Sequence, residues 1–278
     1  MSIQGDAYER RRFTVDEYDT LLEVGILSPD EGAILLDEFI MVPANPTYLL
    51  GLNRDPGPLD ATDPSDLVLM EPPPALETLR EVSGIMNTLA AEPQEDYIQR
   101  KFTVDEYYRM GEAGVLSPDE RTELLEGEII LMAPIGSRHA SCVDFFTKAT
   151  APLALADRVI LRVQNPVFLD QSTEVQPDIA LVRPASYADA HPRPEDVLLL
   201  IEVADTTIGA DRRDKLPAYA EAGIPEAWLA DVNAQAVDIH TDPRDGAYAN
   251  VRTVEMDGAL TPTAFPDVVI SVRDVFRW

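Results

Sequence analysis

The chain has 278 residues, with 22 Lys plus Arg against 50 Asp plus Glu, one Cys and a formal net charge of −28. This length admits one large domain or a domain with an appendage, and 45% hydrophobic residues exclude a wholly disordered chain. No apolar run approaches the ~20 residues that span a bilayer, the opening MSIQGDAYERRRF lacks the apolar stretch of a secretory signal, and the lone Cys142 excludes an internal disulfide and multi-cysteine zinc sites. A cytoplasmic protein with no membrane partner is expected. Residues 1–100 hold 20 acids and 6 bases, and residues 101–278 hold 30 and 16, so each part carries −14. Long-range attraction to nucleic acid or anionic lipid is therefore disfavoured. Lys101, Lys148 and Lys215 are the only lysines; salt adaptation and an Arg- and Ala-rich codon bias both explain such a composition.

In chain order, the first pattern is an internal repeat. Arg12 to Glu31 matches Lys101 to Glu120 at 13 of 20 positions without a gap. Thr14 with Glu17, and Thr103 with Glu106, have capping-box spacing and predict a helix in each copy. Gly25 and Gly114 are candidate stops, and the two Ser-Pro-Asp-Glu segments predict a second short helix with Pro at its first position. Beyond this the copies diverge, and Ile34 stands where the second copy has Glu123. Residues 43–74 contain eight prolines and read as a linker or extended arm. Residues 75–91 place Leu76, Leu79, Val82, Met86 and Leu89 on one face of a helix.

From residue 100 helices and strands interleave. Strands are predicted at 128–134, 158–163, 167–169, 178–182 and 197–203, the last being an apolar run typical of a strand buried on both faces. A helix is expected from about Ser137, ended or kinked by Pro152, and another over 211–223 closed by Gly223. Strands EAWLADV, AVDIH and YANVRTVE follow, the last two joined by a turn at Asp245-Gly246. The class is α/β or α+β with a mixed sheet.

Glu202 lies inside LLLIEV, where an unpaired ionised carboxylate costs several kcal/mol. It requires a cation, a proton, a structural Arg partner or a strand end that reaches solvent. Asp178 opens a strand 24 residues earlier, with room for a hairpin return, and two carboxylates on adjacent strands can share a hard divalent cation. Lys215 follows on the next helix. Its compact ammonium could hold a water or a phosphate oxygen, or be a solvated charge beside Asp211 and Asp214. Arg212 and Arg213 could contact phosphate or be solvated. Glu123 is either an ordinary acid in a short helix or a further metal-site carboxylate. His139 is an accessory base or phosphate contact, or a capping residue. His191 and His240 carry no spacing signal, and Cys142 reads as packing.

Taken in order, FTVDEYYRM, TELLEGEII, His139, VQPDIALV, LLLIEVADTT and DRRDKLPAYAEAGIPEAWLADV resemble the Uma family of restriction-endonuclease-like proteins, a branch of the PD-(D/E)XK nuclease superfamily. The resemblance covers residues 101 to about 275. It implies a restriction-endonuclease-like core, with a central mixed β-sheet flanked by helices and a divalent-metal site at the sheet edge. It implies Asp178 and Glu202 as ligands for Mg²⁺ or Mn²⁺, Lys215 as the catalytic lysine and Glu123 as an additional acid. Glu202-Val203-Ala204 breaks the E-x-K form, and the resemblance implies that the lysine comes from the following helix instead. Asp205-Thr206-Thr207 replaces a Ser-rich turn of the family, which makes Thr206, with His139 and Arg212, a candidate substrate contact.

The expected organisation is a degenerate partial repeat over 1–43, a Pro-rich linker with one amphipathic helix over 44–99, and a nuclease domain over 100–278. The expected function is Mg²⁺-dependent hydrolysis of DNA, with Arg158, Arg162, Arg183, Arg193, Arg212 and Arg213 as candidates for a local basic groove. The alternative is a catalytically silent interaction module on a nuclease fold, favoured by the truncated copy and the acidic surface. The N-terminal copy lacks the motif positions and is not expected to be catalytic by itself. It would pack on the catalytic domain or reach a second subunit as a swapped arm in a homodimer.

Overall fold

In the computed structural model, which describes residues 8–44 and 97–278, both capping boxes form. The Thr14 and Thr103 hydroxyls accept from the N–H groups of Glu17 and Glu106, starting helices α1 (Val15–Glu23) and α2 (Val104–Glu112). The Ser-Pro-Asp-Glu segments do not restart an α-helix. The first makes a single 3₁₀ turn, Pro29–Glu31, and the second an isolated turn closed by the Glu120 N–H on the Ser117 carbonyl at 2.9 Å. The residues that follow form hairpins, β2 (Ile34–Leu36) with β3 (Phe39–Pro43) and β5 (Thr122–Leu125) with β6 (Glu128–Leu131). Glu123 is thus a strand residue and not part of a short helix. The reason lies in the two-residue turns Asp37-Glu38 and Glu126-Gly127, which have positive φ at both positions. That conformation matches the twist of a hairpin and cannot continue a helix. The segment 75–91, and the linker apart from residues 44 and 97–99, lie outside the described residues.

The chain divides into two compact units, cut after Arg12 and after Arg100. The described part of one unit is residues 13–44 and 97–100. It contains α1 and a three-stranded sheet in the order β2-β3-β4, where β4 is Tyr97–Gln99. Phe13, Leu21, Ile26, Leu27 and Ile40 are buried. The other unit holds residues 8–12 and 101–278. Its first sheet has five strands in the order β1-β6-β5-β9-β8, with β1 Glu9–Arg10, β8 Val167–Asp170 and β9 Thr173–Val175. Residues 8–12 thus group with residues 101–278: β1 precedes the first repeat yet pairs with β6 of the second, and β4 precedes the second repeat yet pairs with β3 of the first.

The second sheet of the larger unit has six strands in the order β14-β13-β12-β11-β10-β7. These are β7 (Ile160–Val163), β10 (Ile179–Val182), β11 (Val197–Ala204), β12 (Glu226–Asp231), β13 (Ala236–Arg244) and β14 (Ala247–Val254). Only β11 and β12 run parallel, joined by a helical crossover, so the sheet is mixed. Helix α3 (Ser137–Leu155) lies on one face, where Phe146 and Leu153 join Leu199, Ile201 and Trp228 in one apolar cluster. Pro152 sits inside its last turn without ending it. The opposite face carries Leu200, Ala204 and Leu229 with Leu216, Tyr219 and Ala220 of the crossover. Each fully buried large apolar side chain contributes about 1.5–3 kcal/mol, so both helices are fixed firmly against the sheet. Among the described residues no helix is long and apolar enough to cross a membrane.

The β5–β6 turn gives a direct test of this packing. Gly127 has φ +76°, and a methyl group there would lie 2.7 Å from Lys101 Cβ and 3.1 Å from the Phe102 backbone. Gly127→Ala is expected to lower stability by more than about 1 kcal/mol in urea unfolding. An unchanged midpoint would contradict the turn geometry.

Candidate active site

The period of two along β11 decides where Glu202 points. Leu199, Ile201 and Val203 face α3, so Glu202 shares the opposite face with Leu200 and Ala204. Strand β10 pairs antiparallel with Ile179 opposite Ile201, and one further step of that register sets Asp178 opposite Glu202. The contact is direct: the Asp178 N–H donates to Glu202 Oε2 at 3.4 Å, and the Val203 N–H donates to Asp178 Oδ2 at 2.9 Å. His139, in the first turn of α3, places Nε2 3.1 Å from Asp178 Oδ2. Gln164 Nε2 donates to Asp178 Oδ1 at 3.0 Å.

The crossover supplies the cation. It runs as α4 (Ile208–Ala210), a π-helical turn (Asp211–Lys215) and α5 (Leu216–Glu221). A π turn adds a residue to the helical circuit and re-aims the side chains around it, a device common at functional sites. Here Asp211 and Lys215 both turn inward, 4% and 5% exposed. Lys215 Nζ lies 2.9 Å from Glu123 Oε1 and 3.4 Å from Glu202 Oε1. Tyr219, one helical turn after Lys215, also donates its hydroxyl to Glu202 Oε1. Glu123 Oε2 accepts from the Gln176 N–H at 3.1 Å. Asp211 Oδ1 accepts from the Tyr8 hydroxyl at 2.5 Å and Oδ2 from the Thr207 hydroxyl at 2.7 Å. The Tyr8 ring centroid stands 5.9 Å from Lys215 Nζ.

Four buried carboxylates (Glu123, Asp178, Glu202 and Asp211) thus surround one buried ammonium and one imidazole. Burial raises Glu202 to about 8; Lys215 opposes the rise, and Asp178, Asp211 and Glu123 add to it. Burial also pushes Asp178 up, but the hydrogen bonds from His139, Gln164 and Val203 outweigh it and hold the group below the usual carboxylate range. Lys215 is raised well above an ordinary lysine, because Glu123 and Glu202 outweigh the cost of burying its charge. The cluster is short of positive charge. Among the described residues no three His, Cys, Asp or Glu side chains form a ready ligand set. Two hard carboxylates suit Mg²⁺, which commonly binds one or two of them and completes its shell with water and substrate oxygens; Asp178 and Glu202 would exchange some of their present hydrogen-bond donors for the ion. The donor chemistry fits such an ion.

Of the residues singled out in the sequence, Glu123, His139, Asp178, Glu202 and Lys215 come together. Thr206 is exposed in the bend after β11, and its neighbour Thr207 makes the contact with Asp211. Arg212 pairs with Asp238 on β13 at 2.7 Å. Arg158 and Arg213 also pair with acids, Asp267 and Asp214. Cys142 is fully buried in the α3 cluster, as read. Sequence reasoning missed Tyr219, Asp211, Gln164, Gln176 and Tyr8. Tyr219 had a signal, since it follows Lys215 by four residues and shares its helical face; Tyr8 had one in the repeat, as Tyr8 and Arg11 align with Tyr97 and Arg100.

The raised Glu202 pKa has a consequence for stability. A carboxyl that holds its proton more tightly folded than unfolded stabilises the fold fully below its unfolded value, near 4.5, and loses that contribution as pH rises through about 8. With divalent ions chelated, thermal unfolding midpoints are expected to fall between pH 5 and 8 more steeply for the wild type than for Glu202→Gln. Parallel pH profiles for the two proteins would remove the raised pKa.

Comparison with known proteins agrees with this architecture. The family model Uma2, described as “Putative restriction endonuclease”, matches residues 104–273, a span that contains Glu123, Asp178, Glu202 and Lys215. Among solved structures, a protein from Anabaena variabilis described as a “putative nuclease belonging to DUF820” superposes with a TM-score of 0.52 at 15% identity, covering 64% of this chain and 98% of that one. Nothing among curated proteins matches the chain. The structural likeness establishes the fold, and with the family match over most of the larger unit, the chain belongs to the Uma2 family.

Proposed function

We propose that the chain is an endonuclease that hydrolyses DNA phosphodiester bonds with the help of a divalent cation. The observation that carries this reading is the buried excess of carboxylate around Lys215, set where β10 and β11 bring Asp178 against Glu202. Asp178 and Glu202, with the Val203 carbonyl, would hold Mg²⁺ or Mn²⁺. Such an ion, when bound, neutralises a phosphate oxygen and lowers the pKa of a coordinated water.

The protein's own groups set up the rest. Glu123 and Glu202 hold Lys215 as an ammonium, so it serves as a hydrogen-bond donor and fixed positive charge rather than as a base. In that state it orients the attacking water and stabilises the extra negative charge of a phosphorane-like transition state, where a preplaced charge is worth most. His139, Gln164 and the Val203 N–H fix the Asp178 carboxylate, and the Tyr219 hydroxyl fixes Glu202. The net −14 over residues 101–278 opposes the approach of a polyanion, so millimolar divalent ion would aid binding as well as chemistry.

Nicking of supercoiled plasmid and of single-stranded DNA in Mg²⁺ or Mn²⁺, against EDTA, tests the reading. Wild type is expected to cut only with the ion, and Asp178→Asn and Glu202→Gln to abolish cutting. Lys215→Ala should lose on the order of 10²–10³-fold in kcat. Lys215→Arg should not rescue it, because a guanidinium fork does not fit a pocket built for a compact ammonium. A folded wild type that cuts neither DNA with either ion would overturn the proposal and favour the silent interaction module.

A further inference from the structure

The two repeats exchange their leading strands, and the exchange is reciprocal. At a constant offset of 89 positions, Tyr8, Arg11 and Phe13 align with Tyr97, Arg100 and Phe102. In the larger unit the Phe102 N–H donates to the Gly127 carbonyl, but the next place along that hairpin edge, the Ile129 carbonyl, receives the Arg11 N–H. In the smaller unit the Phe13 N–H donates to Glu38, and the equivalent Ile40 carbonyl receives the Arg100 N–H. Glu9 pairs with Leu131 and Arg10 with Ile130, while the aligned Ile98 and Gln99 pair with Val42 and Met41. Arg11 donates to Glu120 Oε1 at 2.9 Å and the Val115 carbonyl at 2.7 Å; Arg100 makes the same pair of contacts with Glu31 at 2.7 Å and Ile26 at 3.2 Å. Each hairpin edge is therefore completed in the same register by the strand that leads into the other repeat.

Exchange has a chemical consequence on one side only. Tyr97 joins the degenerate unit, where Ile34 replaces Glu123, whereas Tyr8 joins the unit that contains Lys215. There its ring covers the ammonium at 5.9 Å and its hydroxyl holds Asp211 Oδ1, with Thr207 holding Oδ2. With both oxygens of Asp211 occupied by hydroxyls, Lys215 is left to Glu123 and Glu202. Removing the Tyr8 hydroxyl would free an Asp211 oxygen to compete for Lys215. We infer that Tyr8 is a positioning residue for Lys215, delivered to the active unit from ahead of the degenerate repeat by strand exchange within one chain. This rests on the proposed role of Lys215, and it gives the segment ahead of the N-terminal copy a function.

Crossed substitutions in the full chain test it. Tyr8→Ala is expected to lower kcat for plasmid nicking on the order of 10–100-fold with KM for DNA unchanged, as for a catalytic group slightly displaced. Tyr8→Phe keeps the ring over the ammonium and should fall between Tyr8→Ala and wild type with an unaltered unfolding midpoint, while Tyr97→Ala should leave kcat unchanged. Loss of activity in Tyr97→Ala with none in Tyr8→Ala would overturn the inference, as would an unchanged kcat in all three. A second readout needs no activity. Opposed residues of an antiparallel pair lie within disulfide reach, so Glu9→Cys with Leu131→Cys is expected to form a bond inside a single chain, found by peptide mapping of the monomer. A bond in Ile98→Cys with Leu131→Cys, or one in the first pair seen only in covalent dimers, would refute exchange within the chain. If wild type cuts no DNA, the nuclease reading falls and Tyr8 loses its positioning role, while the thiol pairs still decide the exchange.

Discussion

The interaction on which the site depends is the burial of Glu202 in the middle of an otherwise apolar strand. A carboxylate 6% exposed must be neutralised, and the neighbourhood answers with a single ammonium while adding three further acids. A structural ion pair would balance its charges, since uncompensated buried charge costs several kcal/mol. This cluster does not balance them. Burial and the neighbouring acids raise the Glu202 pKa accordingly.

The fold serves that arrangement through three features. The register of β10 on β11 sets Asp178 beside Glu202. The parallel crossover from β11 to β12 returns a helix over the same face, and its π turn directs Lys215 and Asp211 inward together. The five-stranded sheet brings Glu123 from the other side on β5 and, through β1, carries Tyr8. Packing of α3 on the opposite face secures the sheet and adds His139 at its first turn. Seven polar groups thus come from six elements, β1, β5, β10, β11, α3 and the π turn, as a preorganised charge site requires.

Much of this was legible in the sequence because burial leaves a pattern. The run Leu198 to Val203 announces a central strand, and a Glu inside it stands out for the same reason that it is costly. Thr14 and Thr103 announced their helices through local capping alone. Of the hairpins after Ser-Pro-Asp-Glu, only the strand over 128–134 was legible; the strand of Glu123 and the first copy's hairpin were not, since AILLDEFI and TELLEGEII satisfy helical and alternating periodicities equally, and the deciding feature is a turn with two positive φ angles. The helix through Pro152 shows that one lost hydrogen bond in a last turn does not outweigh the packing of Leu153. Strand exchange was hidden most deeply. β1 is two residues long and finds its partner more than a hundred residues away, beyond any local signal, and only the alignment of Tyr8 with Tyr97 hinted at it.

The proposed exchange of a divalent ion for the proton on Glu202 is measured directly by calorimetric titration of Mn²⁺ at pH 6.5 in buffers of different ionisation enthalpy, with and without an uncut DNA duplex. One site is expected, with about one proton released per ion in wild type and fewer in Glu202→Gln, as metal ligation to a protonated group requires. Binding with no proton release, or no site in either protein even with DNA present, would contradict the account.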